Sequence, residues 1–131
     1  MPTEISPPSI ARPVANYAHA VLSDAATRWL HTSGVVPIAP DGTVPTEIGE
    51  QATLVWTNIM AMLDDATLRA EDVVSVTTYV VHSPTLADDL SAVMSARDEA
   101  LAGHRAASTL VTVPALARPE WRVEIAVVAA R

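Results

Sequence analysis

Two apolar runs, Ala106-Ala107-Ser108-Thr109-Leu110-Val111-Thr112-Val113 and Val123-Glu124-Ile125-Ala126-Val127-Val128-Ala129, decide the fold. Both are rich in β-branched and small apolar residues, the composition of strands. The segment between them carries Pro114, Arg118, Pro119 and Arg122, which reads as a loop. Glu124 interrupts the second run. A carboxylate among Val, Ile and Ala is costly to bury unless it is paired or hydrogen-bonded. Glu124 therefore stands either on the solvated face of an edge strand or in a site that uses it.

Outward from that stretch, the chain alternates between two periods. Leu86, Leu90, Val93 and Leu101 mark an amphipathic helix ended by Gly103, with Ser83-Pro84 as N-cap and first helical residue. Asp72 to Val81 is dense in Val, Thr and Tyr and predicts a central strand. Ile48, Ala52, Val55, Ile59, Met62 and Ala66 recur at steps of three and four, one face of a helix of about five turns that Thr46 would cap. Pro40-Asp41-Gly42 signals a turn with a positive φ at Gly42. Trp29 to Ser33 reads as a strand stopped by Gly34, and Tyr17 to Val21 as a short strand. Residues 1–13 hold four prolines and read as a loose N-terminal arm. The order β, β, α, β, α, β, β predicts one α+β domain over 1–131, with two helices packed on one side of a mixed sheet. The apolar terminal strands leave that sheet a second face to cover, which predicts oligomerisation.

Composition excludes several classes. The chain has 131 residues, 50% of them hydrophobic, enough for one core. It has no cysteine, so no disulfide or thiolate chemistry is possible. Its formal charge is −7, and all eight of its basic residues are Arg, which builds no basic stripe for nucleic acid. No secretory signal and no membrane span is visible in the sequence, and the expectation is a soluble, cytoplasmic domain with no membrane partner. The four histidines show no metal-ligand spacing and read as solvated or hydrogen-bonded; Trp29, Trp56 and Trp121 read as packing residues.

Several residues, in order and spacing, resemble the Rid family of reactive intermediate deaminases, also called YjgF-like proteins. They are Tyr17, Thr32-Ser33-Gly34 after a strand, Gln51 and Asn58 in the first helix, Asp72-Val73-Val74 opening the long strand, and Arg122-Val123-Glu124-Ile125 near the end. The likeness runs from about Ala15 to Ala129. It implies a chorismate-mutase-like (bacillus-type) α+β fold and a homotrimer with ligand clefts between neighbouring subunits. It also implies hydrolysis of 2-imino acids, formed from enamines, to 2-keto acids and ammonia, with no metal or organic cofactor. In such members an Arg on the penultimate strand holds the substrate carboxylate and a Glu on the last strand positions or activates water. Carried over residue by residue, the Glu falls on Glu124, the cleft Tyr on Tyr17, and the Ser-Gly pair on Ser33 and Gly34. The family's Ala-Arg-Ser/Thr stretch aligns with Ala107-Ser108-Thr109, which places Ser108 at the Arg position. A cleft Asn aligns with Met94, and the second Glu of the usual Val-Glu-Ile-Glu is Ala126. The chain thus resembles a divergent member that lacks the carboxylate-binding Arg.

Imine hydrolysis needs an anchor for the substrate carboxylate, an oriented acceptor for the attacking water and a proton for the departing amine. Ser108 supplies one neutral hydrogen bond, worth roughly 0.5–1.5 kcal/mol net, and cannot replace a guanidinium. Arg105, three residues upstream, is the nearest substitute, as a substrate-binding residue or as a solvated loop residue. Arg118 and Arg122 read as partners of acidic residues. Three readings remain: a deaminase-like hydrolase using Glu124, a Rid-fold enzyme recruited to another reaction on an imine, enamine or related reactive metabolite, and a non-catalytic metabolite-binding or regulatory trimer.

Overall fold

The computed structural model describes residues 2–131. In chain order the elements are β1 (Pro2–Ile5), β2 (Ala20–Ser23), β3 (Trp29–His31), α1 (Ile48–Asp65), a 3-10 turn (Ala70–Asp72), β4 (Val73–Val81), α2 (Leu86–Leu101), β5 (Ala107–Val113) and β6 (Val123–Ala130). The β-branched run of β4 takes an interior place, as its composition predicts. The four-stranded sheet has the order β3-β6-β4-β5, with β4 parallel to β5 and antiparallel to β6. Parallel neighbours need a crossover, and α2 supplies it.

Strict alternation sorts β6. Val123, Ile125, Val127 and Ala129 are buried, whereas Glu124, Ala126 and Val128 are half-buried on the other face. The buried set joins Val76 and Val80 of β4 in one core with Ile48, Ala52, Val55 and Ile59 of α1 and Val93 and Leu101 of α2. Both helices therefore cover one face of the sheet, as expected. Among the described residues no helix is long and apolar enough to cross a membrane.

Five local expectations are corrected. Residues 2–5 are not a loose arm: β1 pairs antiparallel with β2, from Pro2 opposite Ser23 to Ile5 opposite Ala20. The early strand begins at Ala20 rather than Tyr17, although Ala18 bridges Ala107 and so extends the sheet edge beyond β5. Helix α1 is capped by Glu47, not Thr46, with no side-chain cap bond, and α2 by Thr85 rather than Ser83. The buried face of α1 includes Gln51, Trp56 and Leu63, while Met62 is 40% exposed. The turn at Gly42 and the end of α2 at Gly103 stand as read, with φ of +87° and +90°.

Two polar clusters account for Gln51 in the buried face and for Ser83 outside the cap. Gln51 is fully buried because its amide is satisfied on every side. It donates to Pro45 O at 2.7 Å and Glu120 O at 2.9 Å, and its Oε1 accepts the Arg122 N–H at 2.9 Å. It thereby ties α1 to the residues that lead into β6. Ser83 serves Asp89 instead of capping α2: its hydroxyl donates to Asp89 Oδ2 at 2.5 Å, Thr85 Oγ1 donates to Oδ1 at 3.1 Å, and Arg122 Nη2 lies 2.7 Å from Oδ2. Burial raises the Asp89 pKa, but the two hydroxyl bonds and the Arg122 charge outweigh it, so the carboxyl titrates below its ordinary value. A depressed folded pKa stabilises above the unfolded pKa of about 3.9 and is lost as the pH falls through the folded value. Asp89→Asn should therefore cost about 2 kcal/mol in urea unfolding at pH 7, and the cost should shrink as the pH falls below about 4. A cost that does not change with acidification would contradict this account.

Candidate functional site

The register between β6 and the segment after β3 builds the site. The Thr32 N–H donates to Val127 O at 3.0 Å, and Val35 and Ile125 exchange bonds of 2.7 and 3.1 Å. Between these pairs the segment spends Ser33 and Gly34 where β6 spends only Ala126, a bulge of one residue. The bulge brings Gly34 against the Glu124 side chain. A Cβ at Gly34 would lie 2.6 Å from the Glu124 carboxyl carbon and nearer still to Oε2. Only glycine leaves that carboxylate its place. Two residues far apart in the chain, both carried over from the family resemblance, thus meet on the sheet face that the helices leave uncovered.

Cross-strand neighbours point to the same face, so the register also gives the surroundings of Glu124. Its partner on β4 is Tyr79, whose partner on β5 is Val111. Tyr79 was not singled out from sequence; the period-2 parity of Val73 to Val81 against Glu124 is the signal that finds it. The remaining β5 residues on this face are Ala107, Thr109 and Val113, paired with Ser75, Thr77 and Val81.

Ser108 does not join this face. It pairs with Val76, a core residue 1% exposed, so it lies on the helix side of the sheet. Within one chain Ser108 and Glu124 therefore stand on opposite faces of the sheet. On either face β5, Ala107–Val113, carries no cationic residue. Met94 lies on α2, within the helix layer on the side opposite Glu124, so within one chain it does not line the same cleft. Arg105 is engaged elsewhere: its Nη2 lies 3.2 Å from Glu4 Oε1 and donates to Tyr17 O at 2.5 Å. Tyr17 is half-buried beyond the β5 edge, its ring edge-to-face with His19 at 6.0 Å, with β4 and β5 between it and Glu124.

Ser33 and Gly34 also line an open groove of about 640 Å³, whose far wall is Asn58, Met62 and Asp65 of α1. Glu124 is not part of that wall. The groove carries the Asp65 carboxylate, while Glu124 is the carboxylate packed against Gly34 on the open sheet face. Arg122 is paired with Asp89, and Arg118 lies over the Trp121 ring at 5.5 Å. His19 and His104 bond the carbonyls of Ala11 and Val73. Trp56 packs in the core as expected, whereas Trp29 is 52% exposed and stacked on His31.

A family model described as Endoribonuclease L-PSP matches residues 9–131. The chain belongs to this family, the Rid or YjgF-like proteins. Its fold is shared with YyfB of Yersinia pestis, a Rid-family protein of unknown function, at 29% identity and a TM-score of 0.86, over 99% of this chain and 98% of that one. The YjgF gene product of E. coli aligns over 91% of each chain at 24% identity and a TM-score of 0.70. E. coli TdcF, solved with bound serine, aligns over 98% of each chain at 20% identity and a TM-score of 0.71. No curated protein matches. The α+β arrangement expected for a Rid protein is thus present along nearly the whole chain.

Proposed function

We propose that this Rid chain assembles as a homotrimer and acts on an imine, an enamine or a related reactive metabolite in a cleft between subunits, with Glu124 as its acid-base group. The observation that carries this reading is the Glu124 carboxylate held against Gly34 on the uncovered sheet face. Imine hydrolysis requires a carboxylate placed to orient water and to exchange its proton. A neighbouring subunit on that face would exclude bulk water and bring further groups, such as Tyr17 or Ser33, toward Glu124. Light scattering should report about three times 13.8 kDa, and a monomer at micromolar concentration would overturn the assembly.

The substrate class follows from β5. With Ala107, Thr109, Val111 and Val113 outward, that strand offers no guanidinium to a substrate carboxylate. Losing a charge-assisted bidentate contact costs on the order of 2–5 kcal/mol, or ~30- to several-thousand-fold in rate. Imines of 2-amino acids, generated by an amino-acid oxidase, should therefore release keto acid at least ~30-fold more slowly than with an Arg-containing family member. Uncharged imines should be the better substrates. Equal rates on carboxylated imines would remove this reading. Turnover of neither class, with tight binding of a metabolite on the same face, would favour the binding-protein alternative.

The family description includes ribonuclease, but RNA binding draws on unpaired positive charge. Here the net charge is −7, and Arg69, Arg97, Arg105, Arg122 and Arg131 each lie beside a carboxylate.

A further inference from the structure

We propose that the cavity between the N-terminal β1–β2 ribbon and Arg105 is a binding site for a small carboxylate, occupied in the free chain by the side chain of Glu4. The cavity is about 510 Å³ and is lined by Glu4, Ser6, Arg12, Asn16 and Arg105, with Pro13 and Ala15. It shares no residue with the Glu124–Gly34 pair.

Charge is the first argument. Only eight cations serve a chain of net charge −7, yet two of them border this one hollow, with Glu4 as the single acid. One positive charge is left over, which suits a monoanion. Hydrogen-bond accounting is the second. A guanidinium presents its donors as a planar fork, and a carboxylate fits two of them side by side. Glu4 reaches only Nη2, at 3.2 Å, while the Arg105 Nε is buried without any partner. The pairing is half made. Glu4 is held in β1 by its register opposite Val21, so its carboxylate is tethered. A free carboxylate has no such tether and can approach the exposed end of the fork in the two-donor geometry that Glu4 does not reach. Exposure is the third argument: both side chains of the pair are 36% exposed, so the internal carboxylate can be displaced from solvent.

Arg105 also holds Tyr17 O, and it precedes the Ala106–Ala107 segment that bridges Ala18. Displacing Glu4 would release β1 from Arg105 while leaving that bridge in place. Glu4 thus acts as an internal competitor, and the apparent affinity of a ligand falls by the fraction of time the site is self-occupied.

The test uses propionate as the probe, with propionamide and inorganic phosphate as controls. Binding is followed on the full chain by isothermal titration calorimetry, and in chains that keep Arg105 also through its Nε–H resonance. Propionate should shift that resonance and propionamide should not. Glu4→Gln removes the internal carboxylate, and propionate should then bind about tenfold more tightly. Arg105→Lys keeps the charge that faces Glu4 but loses the fork, and affinity should fall at least about tenfold. Arg12→Gln, outside the ion pair, should weaken binding about threefold with an unchanged melting temperature. If Glu4→Gln loosens the ribbon, Arg105 is freed all the same and the gain persists. No gain in Glu4→Gln, or full affinity in Arg105→Lys, would overturn the proposal. Phosphate binding as tightly as propionate in Glu4→Gln would overturn the carboxylate assignment.

Discussion

Glu124→Gln is expected to leave the fold and assembly intact while lowering kcat/KM on the true substrate by about 100-fold or more. Positioned acid-base groups contribute roughly 10²- to 10⁴-fold, and the amide keeps the shape of the carboxylate without its basicity. Stability should stay within about 0.5 kcal/mol, because no ion pair among the described residues involves Glu124. The opposite pattern, a lower melting temperature or no effect with turnover retained, would return Glu124 to the role of a solvated strand residue. Measuring turnover and thermal unfolding on the same variant separates the two.

Gly34→Ala should act on the same chemistry from across the sheet. The new methyl would meet the Glu124 carboxylate, the far end of a flexible side chain, so the carboxylate yields rather than the backbone. Displacement of a reacting group by about 1 Å costs on the order of 100-fold in rate, and a loss of that size is expected here. The stability cost should be smaller, about 1 kcal/mol, since one methyl is relieved by a side-chain rotation. Combining Gly34→Ala with Glu124→Gln should be no worse than Glu124→Gln alone, because both changes remove one arrangement. Additive losses would mean that Gly34 contributes by a separate route.

The layer arrangement was legible because it rests on periodicity. Val73 to Val81, the alternation of Val123 to Ala129 and the face of α1 each declare their partner surface locally. What escaped the sequence depends on pairing at long range. β1 has the proline and polar composition of an arm and becomes a strand only through β2. Met62 fits the helical spacing of α1, yet Leu63 takes the buried position. Gln51 lies outside the apolar period of α1, and its burial follows only from Pro45, Glu120 and Arg122, which satisfy its amide. The side of the sheet that Ser108 serves was likewise not legible, since its pairing with Val76 sets it. Of the candidate site, Glu124, Ser33 and Gly34 were named from sequence. That Gly34 and Glu124 touch was not legible, since a bulge created by hydrogen bonds to the last strand brings them together.

The last strand has a consequence for biosynthesis. β6 leaves the ribosome after the other strands of its sheet, yet it lies inside that sheet, between β3 and β4. Until it arrives, β3 has no partner in that sheet, and the inner edge of β4 stands open beside a half-covered core. Native pairing of β3 with β6 joins segments from opposite ends of the chain, a closure of high contact order that is slow to form. A nascent chain stalled short of Val123 would expose that edge and need shielding from aggregation. Glu124, the proposed acid-base group, arrives on the same strand, so the proposed site can form only at the step that completes the sheet.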